Sequence, residues 1–264
     1  MNIRRHLTLL ALVVLAILIW IRDRAWQGEM ADTLPVALAL PLFAWLGHPW
    51  KWRSQAAPLP RAPLAAGLLF LAAGLAVNLT LLLAAGWCLM LHAALVSLTT
   101  AYPRRLLALA MLGFPWIAQS GAQVGWWFRL SGAGAAGGLF SVLGFEVQRE
   151  GTFLTVQGLP LSVEAACSGL HVLQALLVAG TVLVCLHVPP GRRFWLFLAA
   201  LVPLAWLANT VRIITLGVAA LSWGADFAMG WFHQFGGWIV LCIMFIICRS
   251  VLFLGLSRKR ISIT

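Results

Sequence analysis

Three residues stand in sequence contexts that suit acyl transfer: a cysteine, an arginine and a histidine. Cys167 lies within Leu161–Leu176, L-S-V-E-A-A-C-S-G-L-H-V-L-Q-A-L, where a short polar-flanked run gives way to an apolar segment reaching about Val188. A thiol where a loop enters a helix sits among amide N–H groups with no intrahelical acceptor, which favours the thiolate. Its neighbours Glu164, Ser168, Gly169 and His171 are not packing residues. Cys88, Cys185, Cys242 and Cys248 instead fall inside apolar runs, where cysteine serves as a small hydrophobe. Arg212, in A-N-T-V-R-I, and His233, in G-W-F-H-Q-F-G-G-W, complete the set. A thiolate attacks a carbonyl carbon, an imidazole moves protons to and from thiol and leaving amine, and a fixed cation stabilises the oxyanion.

Each of these residues also has a plainer use. Arg212 near the end of an apolar helix would serve as a snorkelling anchor, and His233 as an interfacial histidine. His171, four residues after Cys167 and on the same helix face, is a rival base or a polar contact between helices. Asn209, three residues before Arg212, either orients it, contacts substrate or bonds across to another helix. Glu164 orders the loop or pairs with Arg212, or is simply an exposed carboxylate. The remaining histidines serve no outer site: His6, His48 and His187 map to the opposite side, and His92 lies within a span.

The elements that must position these groups follow from hydropathy. The chain is 62% hydrophobic and 9% charged, with a mean hydropathy of +0.96, which is the composition of a polytopic membrane protein. Backbone groups in lipid must be satisfied internally, so the fold class is all-α, with helices as the spanning elements. The first apolar run, Leu7–Ile21, has no small-residue cleavage site after it and reads as an uncleaved first span. Further runs of spanning length lie at about 33–49, 62–78, 79–100, 105–121, 168–188, 194–216 and 235–256, with a turn near Asn78, giving about eight transmembrane helices. Residues 122–166 form the one long region outside the membrane. Its first part, glycine-rich and broken, is expected on the interface. The second part alternates, with turns at Glu150-Gly151 and Gly158, and predicts a small extracytoplasmic β-hairpin or meander before the sixth span. Residues 1–264 read as a single integral-membrane domain, with 122–166 as extracytoplasmic loop and 167–240 as catalytic core.

Charge orients this scheme. With both termini cytoplasmic, Arg4, Arg5, Lys51, Arg53, Arg61, Arg104, Arg105, Arg192, Arg193, Arg258, Lys259 and Arg260 fall inside, twelve of the eighteen basic residues. The net charge of +11 is therefore read as membrane orientation rather than nucleic-acid binding. The five cysteines show no CxxC and no metal-ligand spacing, so neither a metal nor another cofactor is expected. On this topology Cys167, Arg212 and His233 come to one outer surface from three separate spans.

The combination E-A-A-C-S-G-L (164–170), N-T-V-R (209–212) and a histidine before the final span resembles the exosortase/archaeosortase family. The resemblance covers about 145–240 and the eight-span hydropathy. It implies a membrane-embedded cysteine protease or transpeptidase of the plasma (inner) membrane, acting at the outer face. Its partners would be membrane-anchored proteins with a C-terminal sorting signal: a short motif, a transmembrane helix and a basic tail. It also implies Cys167 as nucleophile, Arg212 as oxyanion or substrate-orienting cation and His233 as general acid/base; Glu164, Ser168, Gly169, His171 and Asn209 stand beside these as candidates for support or substrate binding. Several family members carry Arg after C-S-G-L, where this chain has His171. The alternative from another class is a non-catalytic transporter or lipid-handling subunit of a polysaccharide-export system, using Asn209, Arg212 and His233 as a polar path.

A membrane-impermeant maleimide applied to intact spheroplasts is expected to label the wild-type chain once and the Cys167→Ala chain not at all. Labelling only after permeabilisation would invert the topology.

Overall fold

Of the 264 residues, the computed structural model describes 3–24, 27, 30–119, 121–162 and 170–257. The chain forms two compact units, Met1–Ser120 and Gly121–Thr264.

The first unit is built on α1 (Ile3–Arg22), α2 (Met30–Leu46), α3 (Arg61–Ala76) and α4 (Thr80–Leu98). Glycines set the closest helix approach. A Cβ on Gly86 of α4 would lie 2.8 Å from the Gly67 carbonyl oxygen and 2.9 Å from the Leu71 amide nitrogen, both on α3. Such contact matters in lipid, where apolar burial gives helices no reason to associate and close backbone packing does. The reversal between them falls where expected, with Asn78 in the left-handed region at φ 52°. Trp87 of α4 donates its indole N–H to the Leu12 carbonyl of α1 at 2.8 Å.

Polar groups of this unit collect at its two ends. At one, the Thr80 hydroxyl donates to the Asp23 carboxylate at 2.6 Å. The Thr80 amide donates to Gln119 Oε1 at 2.6 Å, and Arg22 donates to Asn78 Oδ1 at 2.8 Å. At the other, β1 (Lys51–Trp52) pairs antiparallel with β2 (Thr99–Ala101), and the Arg5 guanidinium lies 5.2 Å from the Trp52 ring centroid. Arg53 donates to the Thr99 carbonyl at 2.8 Å. Arg5, Lys51 and Arg53 thus share one end of the unit, the grouping the charge pattern anticipates.

One expected span is not a single helix. Across 105–121 the chain makes a 3-10 turn (Arg104–Leu106), α5 (Leu107–Met111) and α6 (Trp116–Gln119). Five residues rise only about 7–8 Å. Gly113 and Pro115 interrupt the helix between α5 and α6, and the apolar side chains of Leu106, Leu109, Phe114 and Ile117 are buried within the unit instead.

The second unit opens with α7 (Gly121–Val142). The glycine-rich stretch expected to be broken is one continuous helix, because its small residues form a packing face. Ala133 and Ala136 are fully buried against Ile213 and Leu216 in a cluster that also takes in Phe140, Leu154 and Val156. The expected meander follows as β3 (Val147–Glu150), β4 (Phe153–Val156) and β5 (Leu159–Ser162), an antiparallel sheet in that order. Its turns use Gly151 at φ 61° and Gly158 at φ 75°, a conformation open to glycine. Then come α8 (Leu170–His187), α9 (Arg192–Trp223), the short α10 (Ala225–Phe227), a π turn (Ala228–Phe232) and α11 (His233–Ser257).

Among the described residues three helices, α1, α4 and α9, are long and apolar enough to cross a membrane. Shorter apolar helices cover Thr33–Leu46, Arg61–Ala76 and Leu173–His187.

Gly86→Ala is expected to destabilise the first unit by about 1–3 kcal/mol, because backbone rather than a yielding side chain meets the new methyl. Gly138→Ala in α7, where nothing lies within 4 Å of the added Cβ, is expected to stabilise by about 0.5–1 kcal/mol. Thermal unfolding of the detergent-solubilised variants checks both signs.

Candidate active site

The site is positioned by the register of two helices. α8 and α9 are packed neighbours joined by residues 188–191, and so run antiparallel. Gly180 fixes their register: a Cβ there would lie 2.5 Å from Leu201 Cδ2. From Leu201 to Arg212 is eleven residues, about 16 Å of rise and a net rotation of about 20°. Ideal helix geometry puts Arg212 on the face of α9 that meets α8, with Pro203 between the two positions. From Gly180 back to Leu170 is ten residues, about 15 Å. Arg212 stands level with the first residue of α8, and Cys167 precedes that residue by three positions in the chain.

The third element, α11, packs against both α8 and α9 and reaches the same level. Val240 and Met244 of α11 pack on Ala208, with Leu204 and Val211 beside them. Closer to the start of α11, Phe232 and Gly236 line an apolar groove with Val211 and Thr215. As the α11 number rises the α9 number falls, so these helices too are antiparallel, with Gly236 about level with Arg212. The backbone of His233, the first residue of α11, lies three residues away, about 4–5 Å along the axis. The π turn before it contains a kink at Gly230 (φ −87°, ψ −110°) that ends one helix run and starts the next.

Burial at this level is heavy. Arg212 is 9% exposed and Asn209 0%. A guanidinium inside an apolar bundle carries a large desolvation cost, which marks such residues for use rather than packing. The Thr215 hydroxyl donates to the Arg212 carbonyl at 2.9 Å. Arg212 does not end its helix, as the hydropathy had suggested. Residues 213–223 remain helix-forming and apolar, and α9 stops only at Gly224, φ 92°. That extension carries the roof of the site. Ile213 and Leu216 pack under Leu154 and Val156 of the meander, and Ala219 and Ala220 pack against Ala228 of the π turn.

The other candidates are placed unequally. Glu164, Cys167, Ser168 and Gly169 lie outside the described residues. His171 is the second residue of α8 and His233 the first of α11, with side chains outside the described set. Asn209 turns toward α7, where a Cβ on Gly132 would lie 3.9 Å from its Nδ2. Of the four other cysteines, Cys88, Cys185 and Cys248 are buried and Cys242 is exposed. No group of three metal-ligating side chains occurs among the described residues. Sequence reading passed over Gln174 of α8, which is 1% exposed. Its signal was available: a lone carboxamide inside an apolar helix, seven residues after Cys167.

The model of the transmembrane exosortase family (Exosortase_EpsH) matches residues 2–250. No curated protein and no solved structure matches the chain.

The register can be checked directly. In a chain otherwise lacking cysteine, Ala208→Cys with Val240→Cys is expected to cross-link under mild oxidation. Val218→Cys, on an exposed face of α9, is expected not to cross-link with Val240→Cys.

Proposed function

The chain belongs to the transmembrane exosortase family, and from that premise we propose that it is a membrane-embedded cysteine transpeptidase acting on the C-terminal sorting signals of exported proteins. The observation that carries the proposal is the common level reached by the start of α8, Arg212 of α9 and the start of α11. Three separate helices reach that level, and in the chain Cys167 lies three residues before the start of α8 while His233 opens α11.

The chemistry runs in two halves. The Cys167 thiolate attacks the carbonyl carbon of the scissile peptide, and Arg212 balances the charge that develops on the carbonyl oxygen. The carbon–nitrogen bond breaks, the leaving amine takes a proton from the His233 imidazolium, and a thioester remains. An amine, a lipid group or water then attacks the thioester carbonyl. It gives its proton to the neutral imidazole, and the thiolate leaves. His171 competes with His233 for the proton-transfer role, being four residues from Cys167 in the chain. Asn209, Glu164, Ser168 and Gly169 shape and bind around the reacting peptide.

The proposed setting follows the charge pattern. The chain sits in the plasma (inner) membrane with both termini cytoplasmic, and the site opens to the outer face. A substrate helix approaches laterally, with its motif emerging beside Cys167. The heavily buried level of Arg212, beneath the meander and the π turn, supports a site that limits water. A thioester awaiting an amine acceptor needs that limit.

Cys167→Ala and Cys167→Ser are both expected to lower processing by at least about 10³-fold, since neither side chain supplies a thiolate. The measurement is accumulation of full-length exported precursors that retain their C-terminal helix. Full processing by Cys167→Ala would overturn the proposal.

A further inference from the structure

Two buried carboxamides lie in one layer just beneath the level of Arg212. Neither Oδ1 nor Nδ2 of Asn209 has a hydrogen-bond partner among the described residues, and Nε2 of Gln174 has none. The register set by Gly180 and Leu201 puts the two residues at nearly one level. Gln174 is six residues back along α8 and Asn209 eight residues on along α9, so their levels differ by only about 3 Å. Rotation agrees. Relative to the line joining the helices, Asn209 turns by about 80° and Gln174 by about 120° in the direction of rising residue number. Because the helices are antiparallel, those two turns carry both side chains to the same side of the pair. That side is the one α7 covers, since Gly132 faces Asn209, Thr210 and Ile213 there.

An amide left unbonded in an apolar interior is unfavourable, and two in one layer point to a ligand that completes them. The chemistry of the layer selects its class. Asn209 offers a donor and an acceptor side by side, and Gln174 adds a second donor. An anion would meet the donors but oppose the Asn209 carbonyl; an apolar chain would satisfy nothing. Another amide satisfies all three, and a polypeptide backbone presents such groups at about 3.3 Å intervals.

We propose that Asn209 and Gln174 form an amide subsite that hydrogen-bonds the substrate's backbone one or two residues beyond the scissile bond, where its extended segment enters the transmembrane helix. This rests on the transpeptidase reading, which supplies the peptide. The layer lies three residues along α9 from Arg212, about 4–5 Å, on the side away from the meander. That is the side toward which the leaving helical tail must run. The first turn of that tail has N–H groups without intrahelical acceptors, and the Asn209 carbonyl is suited to accept from one. Because Asn209 has no exposed surface, substrate reaches it when α7 shifts from the seam at Gly132.

The test replaces each carboxamide by an apolar side chain of similar size. Asn209→Leu and Gln174→Met are each expected to reduce precursor processing by about tenfold or more, with the loss recovered as precursor level rises. Neither should lower the melting temperature of the purified chain. Thr181→Val is the control. Thr181 is also buried with an unpartnered hydroxyl, on the same face of α8 seven residues deeper, and this change should leave processing unaltered. The Cys167→Ala chain should retain precursor on purification, and adding Asn209→Leu should release it. Wild-type processing in both carboxamide variants would overturn the subsite alone. So would a fall in melting temperature in both that Thr181→Val does not share, because the amides would then be bonded within the fold. No precursor in Cys167→Ala cells would remove the transpeptidase reading, and the peptide ligand with it.

Discussion

The second unit depends on the contact between Gly180 and Leu201. It is a small contact, but it fixes the register of α8 on α9, and everything at the candidate site is measured from it. A slip of one helical turn would carry Arg212 about 5 Å from the start of α8 and separate the guanidinium from the chain that leads to Cys167. A larger residue at position 180 would meet the end of the Leu201 side chain, which would have to turn aside. Helices in lipid lack a general hydrophobic drive to associate, so register has to come from such shape-specific contacts. The same logic recurs at Gly67 and Gly86 in the first unit and at Gly132 on α7.

The buried polar groups divide into two kinds. In the first unit, Asp23, Thr80, Gln119 and Asn78 bond to one another and tie helix ends together. Their hydrogen bonds close within the unit, and the network reads as structural. In the second unit, Asn209 and Gln174 do not close in that way. A bundle that satisfies its polar atoms at one place and leaves them open at another has a physical asymmetry; the two open carboxamides lie about one helical turn from Arg212, and the Thr181 hydroxyl is open deeper along α8. Burial alone does not separate these groups, since Asn209 and Thr80 are almost equally inaccessible. The state of their hydrogen bonds does.

Local signals were legible wherever backbone conformation demands particular residues. The turn at Asn78 and the two meander turns fell where glycine or asparagine permits a left-handed backbone. Hydropathy located α1, α3, α4 and α8 to within a few residues. It failed where tertiary packing decides. The glycines of α7 look like breaks in a linear reading, yet Gly132 lies close against α9, and Gly134 and Gly137 lie against the meander. The stretch 105–121 is apolar enough to suggest a span, but Gly113 and Pro115 fold it into short pieces buried inside the unit. For the candidate site, the chain singles out Cys167, Arg212, His233 and Asn209 by residue type and context, whereas the level Gln174 shares with Asn209 exists only once α8 and α9 are set side by side.

The extension of α9 past Arg212 changes what kind of site this is. An arginine at a helix end would meet water and headgroups, where its field is screened and its interaction with a developing oxyanion is weak. Eleven further residues carry α9 on to Trp223, and the meander and the π turn pack against them. The guanidinium is thereby held in a less polar surrounding. On the proposed reading, that strengthens its hold on a charge appearing close by. The cost is the desolvation of the arginine, which the long, well-packed helix must absorb. A chain selected only to anchor in a bilayer would place that arginine at the end of α9, where no such cost arises. On the proposed reading, its place in α9 puts the cation where negative charge would develop when a thiolate attacks a peptide carbonyl.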